Sequence, residues 1–466
     1  MPSPTSFPQR PNILMIVADQ HRRDCLGLHG HPLLQTPHLD ALARDGIDFR
    51  QAYTSSPICV PARNSLLHGC WPCRHLSIAN ADTEAPRPAP ADLPAFPQVL
   101  RKAGYDLTFI GKWLGGKARS PQDYGFQQVT PESAYGAWRA AQGLPPRPGG
   151  LPFFGYDEAI TPEQSRLHWG ADQTIRALRE AAAGAAPFLV RWDPSEPHLP
   201  NVVPEPYASL YRPSDIPPWP SFGDTFAGKP YIQAQQLRSW GIDGWTWEQW
   251  APLVARYLGD IALLDAQVGR VLAALDELGL ARNTLVIYTC DHGDLCGAHG
   301  MIDKHYVMYD DVVRVPLLMR WPGVIAPGSV SDAMVIHTLD LARTLCEVAG
   351  QPVPETFQGQ SLLPLLDGSA GSRQDVLAMY MGNQFGLYSQ RMVRDREWKY
   401  VWNATAEDEL YHLTEDPAEL HNLAAHPDCR ETLARLRRRL HQWMQDIHDP
   451  LDNGWIRRQL LDNRKL

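Results

Sequence analysis

This sequence has no apolar run long enough to cross a bilayer. Its first residues, Met1 to Asn12, are polar and proline-rich where a secretory leader needs an apolar stretch. Cysteine is sparse: eight in 466 residues, at positions 25, 59, 70, 73, 290, 296, 346 and 429, too thinly spread for a disulfide framework. These absences lead to the expectation of a cytoplasmic protein with no membrane partner. The chain also lacks an acidic or basic tail, internal repeats and low-complexity tracts. Its formal net charge of −9 argues against nonspecific binding to nucleic acid or to an anionic membrane. The charge of a substrate stays open, because an anion pocket can sit on an acidic protein.

Proline (42 residues) and tryptophan (15) are abundant instead, and suggest long ordered loops over a rigid body. The length allows a large core and suggests one big domain, 1–355, followed by a smaller one, 356–466. Short apolar, β-rich runs alternate with helical patterns, the signature of an α/β fold with a large, mostly parallel sheet flanked by helices. Four runs end in metal-ligand or charged residue types. Ile13 to Val17 leads to Asp19-Gln20, and Leu107 to Ile110 leads to Gly111-Lys112. Phe188 to Trp192 leads to Pro197-His198, and Leu285 to Thr289 leads to Asp291-His292. Open α/β sheets bind ligands beyond the carboxyl ends of their strands, so these four ends predict the site.

Leu253 to Leu278 carries apolar residues every three or four positions and predicts a long helix with one buried stripe, capped by Gly279. The proline- and tryptophan-rich stretch before it reads as an ordered excursion that could wall a pocket. Past Pro352, strand candidates at Val376 to Met379, Arg391 to Arg394, Trp398 to Trp402 and Glu409 to His412 precede an amphipathic helix, Glu431 to Ile447. They predict a small α+β subdomain.

The stretch Pro57-Ile58-Cys59-Val60-Pro61-Ala62-Arg63 runs on to Leu66-Leu67-His68-Gly69. With Cys59 in a loop and Pro61 at the first helical position, the helix runs on through Asn64 to Leu67 and stops near Gly69. Cys59 then lies at the positive end of a helix, suited to a nucleophile that receives an anion, and Arg63 can fold back toward it. The alternative is a buried structural cysteine.

Cys-x-Pro-x-Arg with a Leu-Leu-x-Gly ending resembles the signature of the type I sulfatases of the alkaline phosphatase superfamily. The resemblance extends through Asn12 to Gln20, Thr36-Pro37-His38-Leu39-Asp40, Gly111-Lys112-Trp113, Pro197-His198, Asp291-His292-Gly293-Asp294, Lys304, Arg314-Val315-Pro316 and Glu409 to Leu413. It implies an alkaline phosphatase-like fold. It also implies that a formylglycine-generating maturation enzyme oxidises Cys59 to formylglycine. Asp19, Gln20, Asp291, His292 and the modified Cys59 would hold one divalent ion, Ca²⁺ by expectation, with Mn²⁺ the alternative a histidine ligand opens. Lys112, His198 and Lys304 would surround the sulfate, and His198 or Lys304 would protonate the departing alcohol. Asn80 is a weaker substrate-binding candidate.

Many sulfatases have a second Asp where Gln20 stands, and Asn is common where His292 stands, but one departure matters more. Leu114 stands where a histidine is usual, the residue thought to deprotonate the second formylglycine hydroxyl when the sulfated intermediate breaks down. His68 and His168 are the candidate substitutes. Cys70-Trp71-Pro72-Cys73 resembles a redox or zinc pair but has no second pair, and His29-Gly30-His31 reads as a loop. The expected reaction is hydrolysis of a sulfate monoester, of a glycan or a small molecule, in two covalent steps. The alternatives are a phosphonate monoester hydrolase or phosphodiesterase of the same superfamily, and a non-catalytic anion- or glycan-binding relative. Formation of a homo-oligomer is left open.

Overall fold

The computed structural model describes residues 10–80, 89–116, 119–149, 153–366, 371, 373–382 and 387–465, so most of the proline-rich start lies outside the described residues. Eight strands form the central sheet: β1 (Asn12–Ala18), β2 (Ile47–Phe49), β3 (Asp106–Gly111), β4 (Gln128–Pro131), β5 (Phe188–Asp193), β6 (Thr284–Cys290), β7 (Leu317–Arg320) and β8 (Ser329–Ser331). Their spatial order is β8-β2-β7-β6-β1-β5-β3-β4. Strands β6, β1, β5, β3 and β4 are parallel, and β7 runs against its neighbours β6 and β2.

Strands β1, β5 and β6 read as continuous apolar runs because helices cover both faces of the sheet. Every residue of β5 and β6 is buried. Since β6, β1, β5 and β3 are parallel, their carboxyl ends open on one edge, which gathers Asp291, Asp19, Asp193 and Lys112 there.

Five helices matter to the site and its support: α1 (Cys59–His68), α2 (Arg166–Ala182), α3 (Trp247–Glu277), α4 (His337–Val348) and α5 (Arg430–Asp446). Helix α3 begins six residues before the stripe predicts, with Pro252 inside it. Its start is fixed by Gln249, whose side-chain oxygen accepts the Thr246 N–H at 2.9 Å.

The carboxyl-terminal part is a four-stranded antiparallel meander of β9 (Val376–Gly382), β10 (Tyr388–Arg394), β11 (Trp398–Asn403) and β12 (Glu409–His412), with α5 packed on it. It is joined to the stretch before the nucleophile motif. Met379 N–H donates to the Ser55 carbonyl at 2.9 Å, and Tyr53, Ile58 and Trp71 share one apolar core with Val376, Tyr380, Tyr400 and Leu440. The tryptophans of the excursion are anchors. Trp245 and Trp250 pack edge to face at 5.2 Å, and the Trp219 indole N–H reaches the Cys296 carbonyl at 2.8 Å.

Candidate active site

Helix α1 begins two residues earlier than Pro61 suggests. Cys59 is its first residue, Ile58 its N-cap, and Gly69 at φ +59° its terminator. A Cβ at Gly69 would lie 2.5 Å from the Phe357 ring, so only glycine fits. Ile58 has no side-chain cap of its own. Asn80 supplies one from elsewhere in the chain, its Oδ1 accepting the Val60 N–H at 3.1 Å. That bond brings the Asn80 amide nitrogen to 3.9 Å from Cys59 Sγ, at the same edge as the strand ends.

Asp19, Cys59, Asp291 and His292 are all buried, and their ligand atoms lie within 4.8 Å of one another. Cys59 Sγ is 3.2 Å from His292 Nε2 and 3.9 Å from Asp19 Oδ1. On the far side of the His292 ring, Nδ1 lies 2.9 Å from the Gly293 carbonyl. A carbonyl only accepts, so Nδ1 carries the proton and Nε2 is left to face the cluster, the arrangement of a metal-binding imidazole. Two carboxylates, an imidazole and the Cys59 side chain are a donor set that fits a divalent cation.

Arg63 organises these groups. Its Nε is 2.8 Å from Asp291, one terminal nitrogen is 2.6 Å from Asp193, and the other is 3.4 Å from Asp19. With three carboxylates around it, and itself 1% exposed, it positions strand ends rather than facing a substrate. Asp193 is the residue that strand-end reasoning passed over. It directly follows the Phe188 to Trp192 run, so the rule that found Asp19 and Asp291 identifies it too. Gly111 makes the approach of β3 to β5 feasible. It sits at φ +110°, a Cβ there would be 2.0 Å from the Asp193 carbonyl oxygen, and the Lys112 N–H donates to that oxygen at 2.8 Å.

Lys112 Nζ is 2.8 Å from Asp19 Oδ2. Lys304 Nζ lies 2.6 Å from Gln20 Oε1, 2.8 Å from His198 Nε2 and 3.0 Å from Asp303. Burial opposes the charge on Asp19, but Lys112, Arg63 and Lys304 together hold its carboxyl well below the ordinary range. Burial likewise raises the Cys59 thiol. Lys304 and His292 outweigh it against the opposing charge of Asp19, and bring the thiol down to about 5.

Gln20, which follows Asp19 at the same strand end, is bonded through both ends of its amide. Its nitrogen donates to Asp294 at 2.7 Å and to Asp303 at 2.8 Å while its oxygen takes the Lys304 bond. It therefore ties Lys304 to the strand end that carries Asp19. Nothing in the sequence marks Asp303 beyond its place beside Lys304.

The proposed stand-ins for the histidine absent at Leu114 are not at the site. His68 ends α1, about 13 Å along the axis from Cys59 at 1.5 Å per residue, and its Nδ1 bonds to the Pro94 carbonyl. His168 lies near the start of α2, beside Asp172 at 3.7 Å. Among the described residues, the imidazoles that touch Cys59 are His292 and His198. Cys70 and Cys73 are unbridged, and burial pushes both thiols up to about 12, which suits packing rather than redox chemistry. His29 bonds to Asp48 at 3.0 Å, and His31 accepts the Leu34 N–H at 2.9 Å.

Comparison with known proteins places these features. The family model described as Sulfatase matches residues 11–351, and one described as N-sulphoglucosamine sulphohydrolase, C-terminal, matches residues 297–446. An arylsulfatase of Clostridium perfringens is 28% identical, with 96% of each chain covered. An ulvan-active sulfatase of Formosa agariphila is 25% identical over 95% of this chain and 82% of its own. Among solved structures, the phosphonate monoester hydrolase of Agrobacterium radiobacter superposes with a TM-score of 0.82 at 27% identity, covering 94% of this chain and 96% of that one.

Proposed function

The chain belongs to the sulfatase family, and on that footing we propose that it is a sulfuric ester hydrolase that uses Cys59, matured to formylglycine, as its nucleophile. The observation that carries this reading is the placement of Cys59. It heads α1 within a buried cluster of Asp19, Asp291 and His292, and Lys112 and Lys304 bring positive charge to the same edge.

Asp19, Gln20, Asp291, His292 and the modified Cys59 would hold one divalent ion, Ca²⁺ or Mn²⁺. Such an ion supplies positive charge that favours the ionised nucleophile and offsets charge on the ester oxygens. Hydrated formylglycine offers two hydroxyls, one to attack sulfur and one to expel sulfate and restore the aldehyde. The other steps fall to this chain's own residues. Arg63 fixes the orientation of Asp19 and Asp291 by holding both. Lys112 and Lys304 accommodate the negative oxygens of the transferring group.

His198 and Lys304 move the proton. The Lys304 ammonium, bonded to His198 Nε2, passes a proton directly to the departing alcohol. His198 Nε2, left unprotonated, then takes the proton of the second hydroxyl. This assigns to His198 the task of the histidine that Leu114 replaces. The substrate is a sulfate ester of a glycan or small molecule, and a maturation enzyme acts on Cys59 beforehand.

The likeness to a phosphonate monoester hydrolase supports a second substrate class on the same machinery. The test is the ratio of kcat/KM for 4-nitrophenyl sulfate and 4-nitrophenyl phenylphosphonate, measured on one preparation of fully converted enzyme. A ratio above one supports the sulfatase reading, and a ratio well below one replaces it with the phosphonate reading.

A further inference from the structure

The turn that carries His198 is held by side chains from two other elements. The chain leaves β5 at Asp193, and the His198 N–H then donates to the Ser195 carbonyl at 2.9 Å. Glu132, the first residue past β4, meets Ser195 twice. Its Oε1 accepts the Ser195 N–H at 3.2 Å, and its Oε2 accepts the Ser195 hydroxyl at 2.7 Å. The Glu132 N–H itself donates to the Gly111 carbonyl at 2.9 Å, beside Lys112. One residue thus spans the strand end that carries Lys112 and the turn that carries His198.

Arg166, at the head of α2, fixes Glu132 in turn. One terminal nitrogen lies 3.3 Å from Glu132 Oε2, while Nε and the other terminal nitrogen lie 2.8 and 2.7 Å from Glu196 Oε1. The Glu196 carbonyl accepts the Asp19 N–H at 3.2 Å, and Asn201 donates to the Pro197 carbonyl at 2.7 Å. The pair of Glu132 and Arg166, with side chains 20% and 18% exposed, adds little to stability at that exposure. Its effect on geometry is larger. His198 Nε2 meets Lys304 Nζ at 2.8 Å, and a displacement of about 1 Å at a reacting group costs about 10²-fold in rate.

We infer that Glu132 is a positioning residue: through Ser195 it sets the His198 ring against Lys304, and Arg166 holds its carboxylate in place. A group that takes part in proton transfer keeps its geometry only when the residues behind it are themselves locked by hydrogen bonds. The inference rests on the proposed role of His198 as a base for its kinetic signature, but the placement can be read without turnover.

The test compares Glu132→Ala, Ser195→Ala and the conservative Glu132→Gln with the parent, as converted enzyme on 4-nitrophenyl sulfate in stopped flow. In parallel, full-length Cys59→Ala protein with and without each substitution is treated with diethyl pyrocarbonate. Carbethoxylation of His198, and of His426 as an exposed control, is followed by peptide mass. Glu132→Ala should keep its burst of nitrophenol and its KM, and lose about 10²-fold in the steady rate. Ser195→Ala, which keeps the N–H arm, should lose about tenfold, and it gives the reading even where Glu132→Ala does not fold. Glu132→Gln should lie between Glu132→Ala and the parent, because its amide oxygen still accepts one of the two bonds. In each variant His198, released from Lys304, should react several-fold faster than in the parent, with His426 unchanged. A burst and a steady rate that fall in equal proportion, or carbethoxylation of His198 at the parent rate, would overturn the inference. Faster carbethoxylation of His198 in variants of a parent that hydrolyses no sulfate ester would leave the placement standing and remove the sulfatase reading instead.

Discussion

Lys304 and His198 meet nitrogen to nitrogen, with 2.8 Å between Nζ and Nε2, and the imidazole carries no proton on the atom that faces the lysine. The assignment follows from the other side of the ring, where Nδ1 lies 2.6 Å from the Leu199 carbonyl. A carbonyl can only accept, so Nδ1 holds the proton and Nε2 must accept from the ammonium. The pair thus stores its mobile proton on Lys304 and keeps a base on His198.

This division predicts different losses in the two variants. Lys304→Ala should lower kcat by about 10² to 10⁴ on esters of poorly acidic alcohols and far less on 4-nitrophenyl sulfate, whose leaving group needs no proton. His198→Asn should release a burst of nitrophenol followed by a slow steady rate, because its second task comes after the alcohol has gone. A leaving-group series and stopped-flow traces check both. Equal losses on all esters, with no burst, would contradict the assignment.

Arg63 holds Asp19, Asp193 and Asp291 together, so its role is felt in stability as well as rate. Arg63→Ala leaves three buried carboxylates without their shared cation. Breaking a buried ion pair from one side costs about 3–5 kcal/mol. The variant should unfold at a clearly lower temperature in calorimetry, and Arg63→Lys should recover only part of the loss, since an ammonium lacks the three-way fork. Asp193→Asn removes one arm of this fork and weakens the hold on buried Arg191, two of whose nitrogens lie 2.7 Å from Asp193, so it too should lower the melting temperature.

Much of this was visible in the sequence, for a physical reason. Buried parallel strands must be continuous apolar runs, and a polar residue directly after such a run has nowhere to go except the carboxyl edge. Asp19, Lys112 and Asp291 were legible on that ground, and the meander strands by their β-branched and aromatic content. What was not legible depends on partners distant in sequence. Asn80 caps α1 from outside the helix, so nothing around Cys59 could announce it. Gln20 reads as a strand-end residue, but its bonds to Asp294 and Asp303, which arrive from another loop and take its amide nitrogen, are not announced by its neighbours. Helix α1 starts at Cys59 because Pro61, placed at the first helical position in the sequence, is equally tolerated anywhere in a first turn that needs no internal N–H bond.

Asp260 provides a pH test away from the nucleophile. Burial and the neighbouring Glu196 charge push its carboxyl up to about 7, against a bond from Asn201. Its folded pKa lies above the unfolded value, so the folded state binds the extra proton between about 4 and 7, and the group's contribution to stability falls as pH rises through that window. Asp260→Asn removes the penalty. Its melting temperature relative to the parent should rise from pH 4 to pH 7 and stay level above. A difference that is flat with pH, or that falls, would contradict the assignment.

Removal of the ion should abolish activity without unfolding the chain. Prolonged dialysis against EDTA is expected to eliminate turnover, with Ca²⁺ or Mn²⁺ restoring it. Asp291→Asn should require far more added ion for the same rate. The folded state should persist because Arg63, Lys112 and Lys304 still offset the carboxylates. Turnover that survives exhaustive chelation would remove the metal from the account.

The most direct test of the central claim is the mass of the tryptic peptide Gln51 to Arg63 from protein co-expressed with a formylglycine-generating enzyme, read beside activity on 4-nitrophenyl sulfate. The account predicts a peptide lighter by the cysteine-to-formylglycine conversion, activity that rises in proportion to the converted fraction, and neither in Cys59→Ala. An unmodified Cys59 in protein that still hydrolyses the ester, with a known sulfatase converted alongside, would contradict it.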